Sequence, residues 1–246
     1  MKDSEESKTE KKKSLKALVL TVLILIGISL FIWRIFYFVD LIRSGQIADL
    51  RLAEAQEMSV SRLAATAAAS ASSLAVVSIA GDPATGSQTA PLTIVMFGDF
   101  GCTYSRDAAF TVRSLAYQYR DQVQLVYKDF PLTDLHPEAE LAAEAAACAN
   151  DQDHFWDMFD RLYQNQSALS RESLIDYARA LNLDIGRFIS CLDNRTHQAD
   201  VAQDYEEGLA LGVYGTPTFF LNGEMVQGAI PADFLRALIE KMSETQ

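Results

Sequence analysis

Apolar and polar positions change period several times along this chain of 246 residues, and each change marks an element. Leu15 to Val39 is a nearly unbroken apolar run, interrupted by Lys16 and Arg34 and long enough to cross a bilayer as a helix. Asp40 to about Leu63 keeps helix formers, and Glu54 and Glu57 interrupt any seam that Ile47, Leu50 and Leu63 would build. No heptad is sustained, so 40–73 reads as a helical stalk and linker ending in the Ala/Ser/Thr tract Ala64 to Ser73. Val76 to Ile79 predicts a short strand, and Gly81 to Ser87 a turn-rich linker. Leu92 to Phe97 is a continuous apolar stretch that stops at glycines, the pattern of a buried strand. Ser105 to Tyr119 has a helical period, and Val123 to Tyr127 is β-branched and aromatic, a second strand.

A strand, a crossover helix and a strand make a parallel βαβ unit. A long helical stretch follows from Pro137 to about Gly212, with Ser170 as a helix cap. Thr216 to Leu221 is strand-like, and Asn222-Gly223 behind it is a strong hairpin signal leading into Glu224 to Val226. Pro231 to Met242 closes the chain as a helix with proline near its first position. The order is β-α-β, a helical block, then β-β-α. It predicts an α/β domain over 74–246, a small sheet covered by helices, with an insertion at about 137–212. This is the order of a thioredoxin-like fold, here preceded by a transmembrane helix.

Charge orients that helix. Lys2, Lys8, Lys11, Lys12, Lys13 and Lys16 precede or open the apolar run, and fewer basic residues follow it. Residues 1–14 therefore read as a disordered cytoplasmic tail, 15–39 as a single-pass signal anchor in the cell membrane, and the rest as extracytoplasmic. A cleaved signal peptide would have a shorter apolar core and small residues behind it, whereas Phe36-Tyr37-Phe38 is bulky. Net charge is −12, with a pI near 4.7, and no basic patch is present to neutralise phosphates; nucleic acid is excluded as a partner. The acidity itself reads as solubility.

Export places Cys102, Cys148 and Cys191 where disulfides persist, and three is odd, so a free thiol or an intermolecular partner is expected. Cys102 stands at a strand-to-helix junction. There the unpaired N–H groups and the positive end of the helix favour a thiolate. A dithiol motif would place a second sulfur at Ser105, which has none. His154 follows Cys148, and His197 follows Cys191, at equal spacing, but zinc ligands usually stand closer together. Metal and cofactor are both expected to be absent, with His136, His154 and His197 as ordinary insertion residues. Asp99 reads as a cap of the turn before the helix.

The chain resembles the exported DsbA-like thiol–disulfide oxidoreductases, membrane-anchored forms included, from about Asp82 to its end. The carriers are Asp82-Pro83 with Gly86, Ala90-Pro91-Leu92-Thr93-Ile94-Val95, and Phe97-Gly98-Asp99-Phe100-Gly101-Cys102. Lys128-Asp129-Phe130-Pro131-Leu132 with His136-Pro137, Cys148-Ala149-Asn150 with Phe155-Trp156, Cys191-Leu192, and Gly215-Thr216-Pro217-Thr218-Phe219-Phe220-Leu221-Asn222-Gly223 complete the set. The resemblance implies that Cys102 is the nucleophile and that Pro217 is cis beside it, leaving the Thr216 backbone to pair with an extended substrate. Without it, Thr216-Pro217 could equally be a strand-entry proline. Thr103 and Tyr104 are further candidate substrate contacts. Cys148 and Cys191 match positions that form a structural disulfide in some members; free thiols, or resolution of Cys102 by one of them, are the other readings.

Two departures matter: Ser105 replaces the resolving cysteine, and Met96 replaces a buried glutamate. A single thiol can attack a disulfide but cannot close an internal one. The implied function is thiol–disulfide exchange on exported proteins, of oxidoreductase or isomerase type, with release by the substrate's own thiol, a small thiol or a reductase partner. Ser105 would hydrogen-bond the thiolate or simply occupy the first helical turn. The alternative is a redox-inactive substrate-binding or chaperone module. A deliberately introduced Ser105 that traps mixed disulfides is a third reading, against which the change at Met96 argues.

Overall fold

The computed structural model describes residues 29–30, 33–34 and 77–244. The expected tail and stalk, and most of the expected anchor, lie outside the described residues. Among the described residues no helix is long and apolar enough to cross a membrane. The chain divides into two units, Met1–Glu57 and Met58–Gln246, and the second carries the sheet.

Its elements are β1 (Ala84–Gly86), β2 (Leu92–Gly98), α1 (Thr103–Gln118), β3 (Val123–Asp129), α2 (Ala139–Asn150), α3 (Phe155–Gln164), α4 (Arg171–Ala180), α5 (Ile185–Asp193), α6 (Gln198–Ala210), β4 (Thr218–Leu221), β5 (Glu224–Gln227) and α7 (Ala232–Glu244). The sheet order is β1-β3-β2-β4-β5. β2 and β3 run parallel from Leu92↔Val123 to Gly98↔Asp129, and the other pairs are antiparallel. β2 is buried throughout, and apolar but for Thr93 and the closing Gly98, because both of its faces are covered. Leu92, Ile94 and Met96 enter the larger core, while Val95 and Phe97 join Val126, Phe130, Val213 and Phe220 in the smaller one. Gly208 of α6 allows the close helix-to-sheet approach, since a Cβ there would lie 2.7 Å from the Phe130 ring.

The β4–β5 turn uses the left-handed region at both Asn222 (φ 49°) and Gly223 (φ 90°), as a tight hairpin requires. The Asn222 side chain accepts from Thr93 N–H (2.7 Å) and donates to Pro91 O (2.9 Å), tying the hairpin to β2. Cys148 of α2 and Cys191 of α5 are joined by a disulfide.

Three expectations shift. The segment at Val77 to Ile79 is not a strand. Val77 packs in the smaller core and Ser78 N–H donates to Glu207 Oε1 (2.7 Å). The strand lies instead in the predicted linker, where Ala84 pairs with Val126. The free edge of β3 selects that partner, not local apolar content. β3 itself runs past Tyr127 into Lys128 and Asp129, because the Lys128 ammonium meets Asp82 (2.8 Å), Asp204 (2.7 Å) and Glu207 (3.0 Å) under the sheet edge. Helix α1 begins at Thr103, two residues before the periodic pattern.

Candidate functional site

β2 ends at Gly98, where a Cβ would lie 2.6 Å from the Tyr127 ring and 2.7 Å from the Tyr163 hydroxyl. That tyrosine pair, bonded hydroxyl to hydroxyl at 3.0 Å, is fully buried beside the end of the strand. Burial pushes both phenols well above their ordinary range. Met96 lies on the same core face as Phe100 and Tyr127 and is wholly buried.

The loop from Gly98 to Cys102 is organised by Asp99, whose carboxylate is inaccessible to solvent. Oδ1 accepts from Gly101 N–H (2.7 Å). Oδ2 accepts from Leu132 N–H (2.9 Å) and contacts His136 Nδ1 at 2.7 Å. The carboxylate thus caps the turn before the helix and also clamps the Leu132–His136 loop. The Asp99 main chain continues the framework: its carbonyl accepts from Cys102 N–H (3.0 Å), and its N–H donates to Ser105 Oγ (3.5 Å). Gly101 is required where His136 presses closest, since a Cβ there would lie 2.5 Å from His136 Cβ.

Cys102 is the N-cap residue of α1, in an extended conformation, and no side chain caps the helix. The N-terminal N–H groups of a 16-residue helix therefore face the thiol's position. Cys102 is 7% exposed, and its thiol donates to the carbonyl of Thr216 at 3.3 Å. The peptide bond between Thr216 and Pro217 is cis. The register pairs Phe97 with Thr218, so Pro217 and Thr216 run on past the sheet on the side where β2 turns into the Cys102 loop.

The structure brings Cys102, Thr216 and Pro217 together, with Thr103 and Tyr104 on the exposed first turn of α1. Ser105 is fully buried and bonded to Asp99 N–H, not to the sulfur. Cys148 and Cys191 stand apart, bound to each other, so Cys102 is the free cysteine. Two further residues belong here: His136, expected as an ordinary insertion residue, and Gln166, which no sequence pattern marks. His136 reaches the site through Asp99. Gln166, in the loop after α3, donates from Nε2 to the carbonyls of Phe100 (2.7 Å) and Cys102 (2.8 Å). No local pattern marks Gln166, because its two acceptors lie 66 and 64 residues away along the chain. Tyr104 (71% exposed), on the first turn of α1, Tyr214 (80%), two residues before Thr216, and Leu135 (71%), next to His136, leave large apolar surface in water.

A mixed sheet flanked by helices, with a cysteine at a helix N-cap against a cis-proline loop, defines a thioredoxin-like protein. The family model described as Thioredoxin matches residues 78–241, and the chain belongs to that family. The Na(+)/H(+) antiporter NhaA 1 of Salinispora arenicola is 39% identical over 158 residues, 64% of this chain and 24% of the relative. The chain thus spans about a quarter of the length of the curated relatives it matches. A thioredoxin-like oxidoreductase from Silicibacter pomeroyi DSS-3 is similar in structure, with a TM-score of 0.59 at 25% identity, over 66% of this chain and 92% of that one. The thiol-disulfide exchange protein alpha-DsbA2 from Wolbachia pipientis shares the fold with a TM-score of 0.61 at 18% identity, over 74% of this chain and 97% of its own.

Proposed function

We propose that this protein is a DsbA-like thiol–disulfide exchange protein that works through the single thiol of Cys102. It is held to the membrane by residues 15–39 and acts outside the cytoplasm on exported proteins. The observation that carries this reading is the 3.3 Å approach of the Cys102 thiol to the Thr216 carbonyl, at an uncapped helix N-terminus. The thiolate is the attacking species in such exchange. The similarity to an oxidoreductase from Silicibacter pomeroyi supports the same reading.

The Cys102 thiolate attacks one sulfur of a substrate disulfide. A Cys102–substrate S–S bond forms, the substrate S–S bond breaks, and the second substrate sulfur leaves as thiolate. All three cysteines of the chain are then accounted for, since Cys148 and Cys191 hold each other. The mixed disulfide is therefore resolved from outside: a thiol of the substrate, or a small thiol, attacks and Cys102 leaves as thiolate. Redox state is conserved in the first case, which is isomerisation. Thr103 and Tyr104 on the helix, and Thr216 and Pro217 opposite, hold the substrate backbone and side chains. Thiol–disulfide exchange of this kind proceeds without a metal or cofactor.

The test compares refolding of a scrambled-disulfide protein with oxidation of a reduced one, for the wild type and Cys102→Ala. Cys102-dependent refolding in a glutathione buffer is the expected result. Oxidation at full rate without an added thiol would overturn the one-thiol mechanism. The exposed Tyr104, Leu135 and Tyr214 favour a second reading, a binding module without turnover. That reading predicts substrate binding that survives in Cys102→Ala, with no exchange in either protein.

A further inference from the structure

A cavity of about 300 Å³ opens between the 80–83 segment, the end of β3, α2 and α6. None of the residues described around Cys102 lines it. Asp129, the last residue of β3, lines the cavity, and the Cys102 loop follows Gly98, the last residue of β2; the carboxyl ends of parallel strands are where open sheets commonly bind ligands.

The lining is strongly acidic, with Asp82, Asp129, Asp200 and Asp204 all contributing. Most of these carboxylates have partners. Lys128 lies behind the wall and meets Asp82, Asp204 and Glu207. His197 spans Asp200 (2.7 Å) and Asp151 (3.1 Å). Asp129 is the exception. It is 8% exposed, and its Oδ1 is buried with no hydrogen-bond partner among the described residues. A buried carboxylate without a donor is expensive and calls for a proton or a ligand to satisfy it.

The arrangement discriminates between ligands. Among the described residues, the set of three His, Cys, Asp or Glu donor atoms lying mutually within 4.8 Å is Cys148, Cys191 and His197, and there the sulfurs are bonded to each other. Among the described residues no three of the cavity carboxylates bring donor atoms within that distance of one another. Their spread suits a cation that carries donors on several atoms, and Ala80, Pro83 and Val201 supply apolar wall for a short carbon chain. We propose that this cavity binds an organic cation with multiple N–H donors, a guanidinium or primary ammonium, with Asp129 as the acceptor that it satisfies. The cation is either a free amine or the side chain of an arginine or lysine in a polypeptide.

Burial raises Asp129 well above the carboxylate range, and Asp204, Asp82 and Asp99 act in the same direction against Lys128. Asp204 is itself pushed up to about 6 by burial. A cation that enters displaces these protons, so it binds more tightly as pH rises.

The test is calorimetric titration of the full chain with agmatine, with an arginine-containing peptide, with tetramethylammonium and with calcium chloride, at pH 5.5 and 7.5. Agmatine is expected to bind at one site, tighter at the higher pH, and at least tenfold weaker in Asp129→Asn with its circular dichroism unchanged. Peptide binding at the same site assigns the ligand to a side chain; agmatine binding alone assigns a free amine. Asp200→Asn, which alters the cavity at an exposed position, provides a second variant with the same direction of change. Equal binding of tetramethylammonium, binding of calcium in place of agmatine, absence of agmatine binding, or unchanged affinity in Asp129→Asn would each overturn the proposal.

Discussion

The thiol of Cys102 and the carbonyl of Thr216 meet at 3.3 Å across 114 residues of chain. The contact places the sulfur between a helix N-terminus and the half-buried backbone of Thr216. A strand laid against Thr216 would bring its own sulfur near Cys102. Cys102 should therefore react with iodoacetamide at pH 7 at least tenfold faster than free cysteine, and denaturation should abolish the difference. Reaction at the free-cysteine rate in the folded protein would leave the exchange mechanism without a nucleophile.

Ser105 lies three residues after Cys102 on α1, fully buried and bonded to Asp99 N–H. Serine and cysteine are close in size, so Ser105→Cys should be accepted and should create the missing resolving thiol. The variant is expected to oxidise a reduced substrate at least tenfold faster than the wild type when re-oxidant is supplied. Mass spectrometry should find a disulfide between Cys102 and the introduced thiol. A variant that folds but oxidises no faster would mean that something other than the absent thiol limits turnover.

Asp99 is the joint between the Cys102 loop and the Leu132–His136 loop. Removing its carboxylate leaves the N–H groups of Gly101 and Leu132, and the His136 ring, without their acceptor. Asp99→Ala is expected to cost about 3 kcal/mol, and His136→Ala about 1 kcal/mol, in urea unfolding. A loss below about 0.5 kcal/mol for Asp99→Ala would show that water replaces the carboxylate without cost.

The carboxylates around Lys128 set a pH dependence. Burial raises Asp204 to about 6 and also raises Asp82 and Asp129. Groups that hold protons more tightly when folded stabilise the fold below their unfolded pKa, and that contribution is lost as pH rises through the folded value. His197, also raised, acts in the same direction. The urea midpoint should therefore fall between pH 4.5 and pH 7, and Asp204→Asn should flatten the slope. A midpoint that rises across this window would contradict the arrangement.

The Cys148–Cys191 bridge closes a loop with a sequence separation of 43 residues between α2 and α5. On the loop-entropy model the double Cys→Ala variant should lose about 4 kcal/mol. Exchange at Cys102 should persist at temperatures where the variant remains folded. Loss of exchange in a folded variant would instead give the bridge a redox role.

Much of the fold is local and was legible in the chain. The continuous apolar run of β2, the helical period of α1, the Asn222-Gly223 turn and the helical block before β4 each express one short-range rule. Cys102 at the start of a helix is likewise a statement about neighbours in sequence. The resemblance added what spacing cannot supply, the pairing of Pro217 with Cys102.

Tertiary structure alone decided the rest. β1 formed at Ala84–Gly86 because the outer edge of β3 needed a partner there, and no apolar pattern advertises that need. Asp99 looked like a local cap, yet its second oxygen holds Leu132 and His136, which come within reach only because β3 lies beside β2. Gln166 and Lys128 take their partners from elements folded against them from far along the chain. Side-chain periodicity records which face of an element is dry. It does not record which polar groups a packed neighbour will bring, and those groups determine how Cys102 is held and which oxygen of Asp129 is left without a donor.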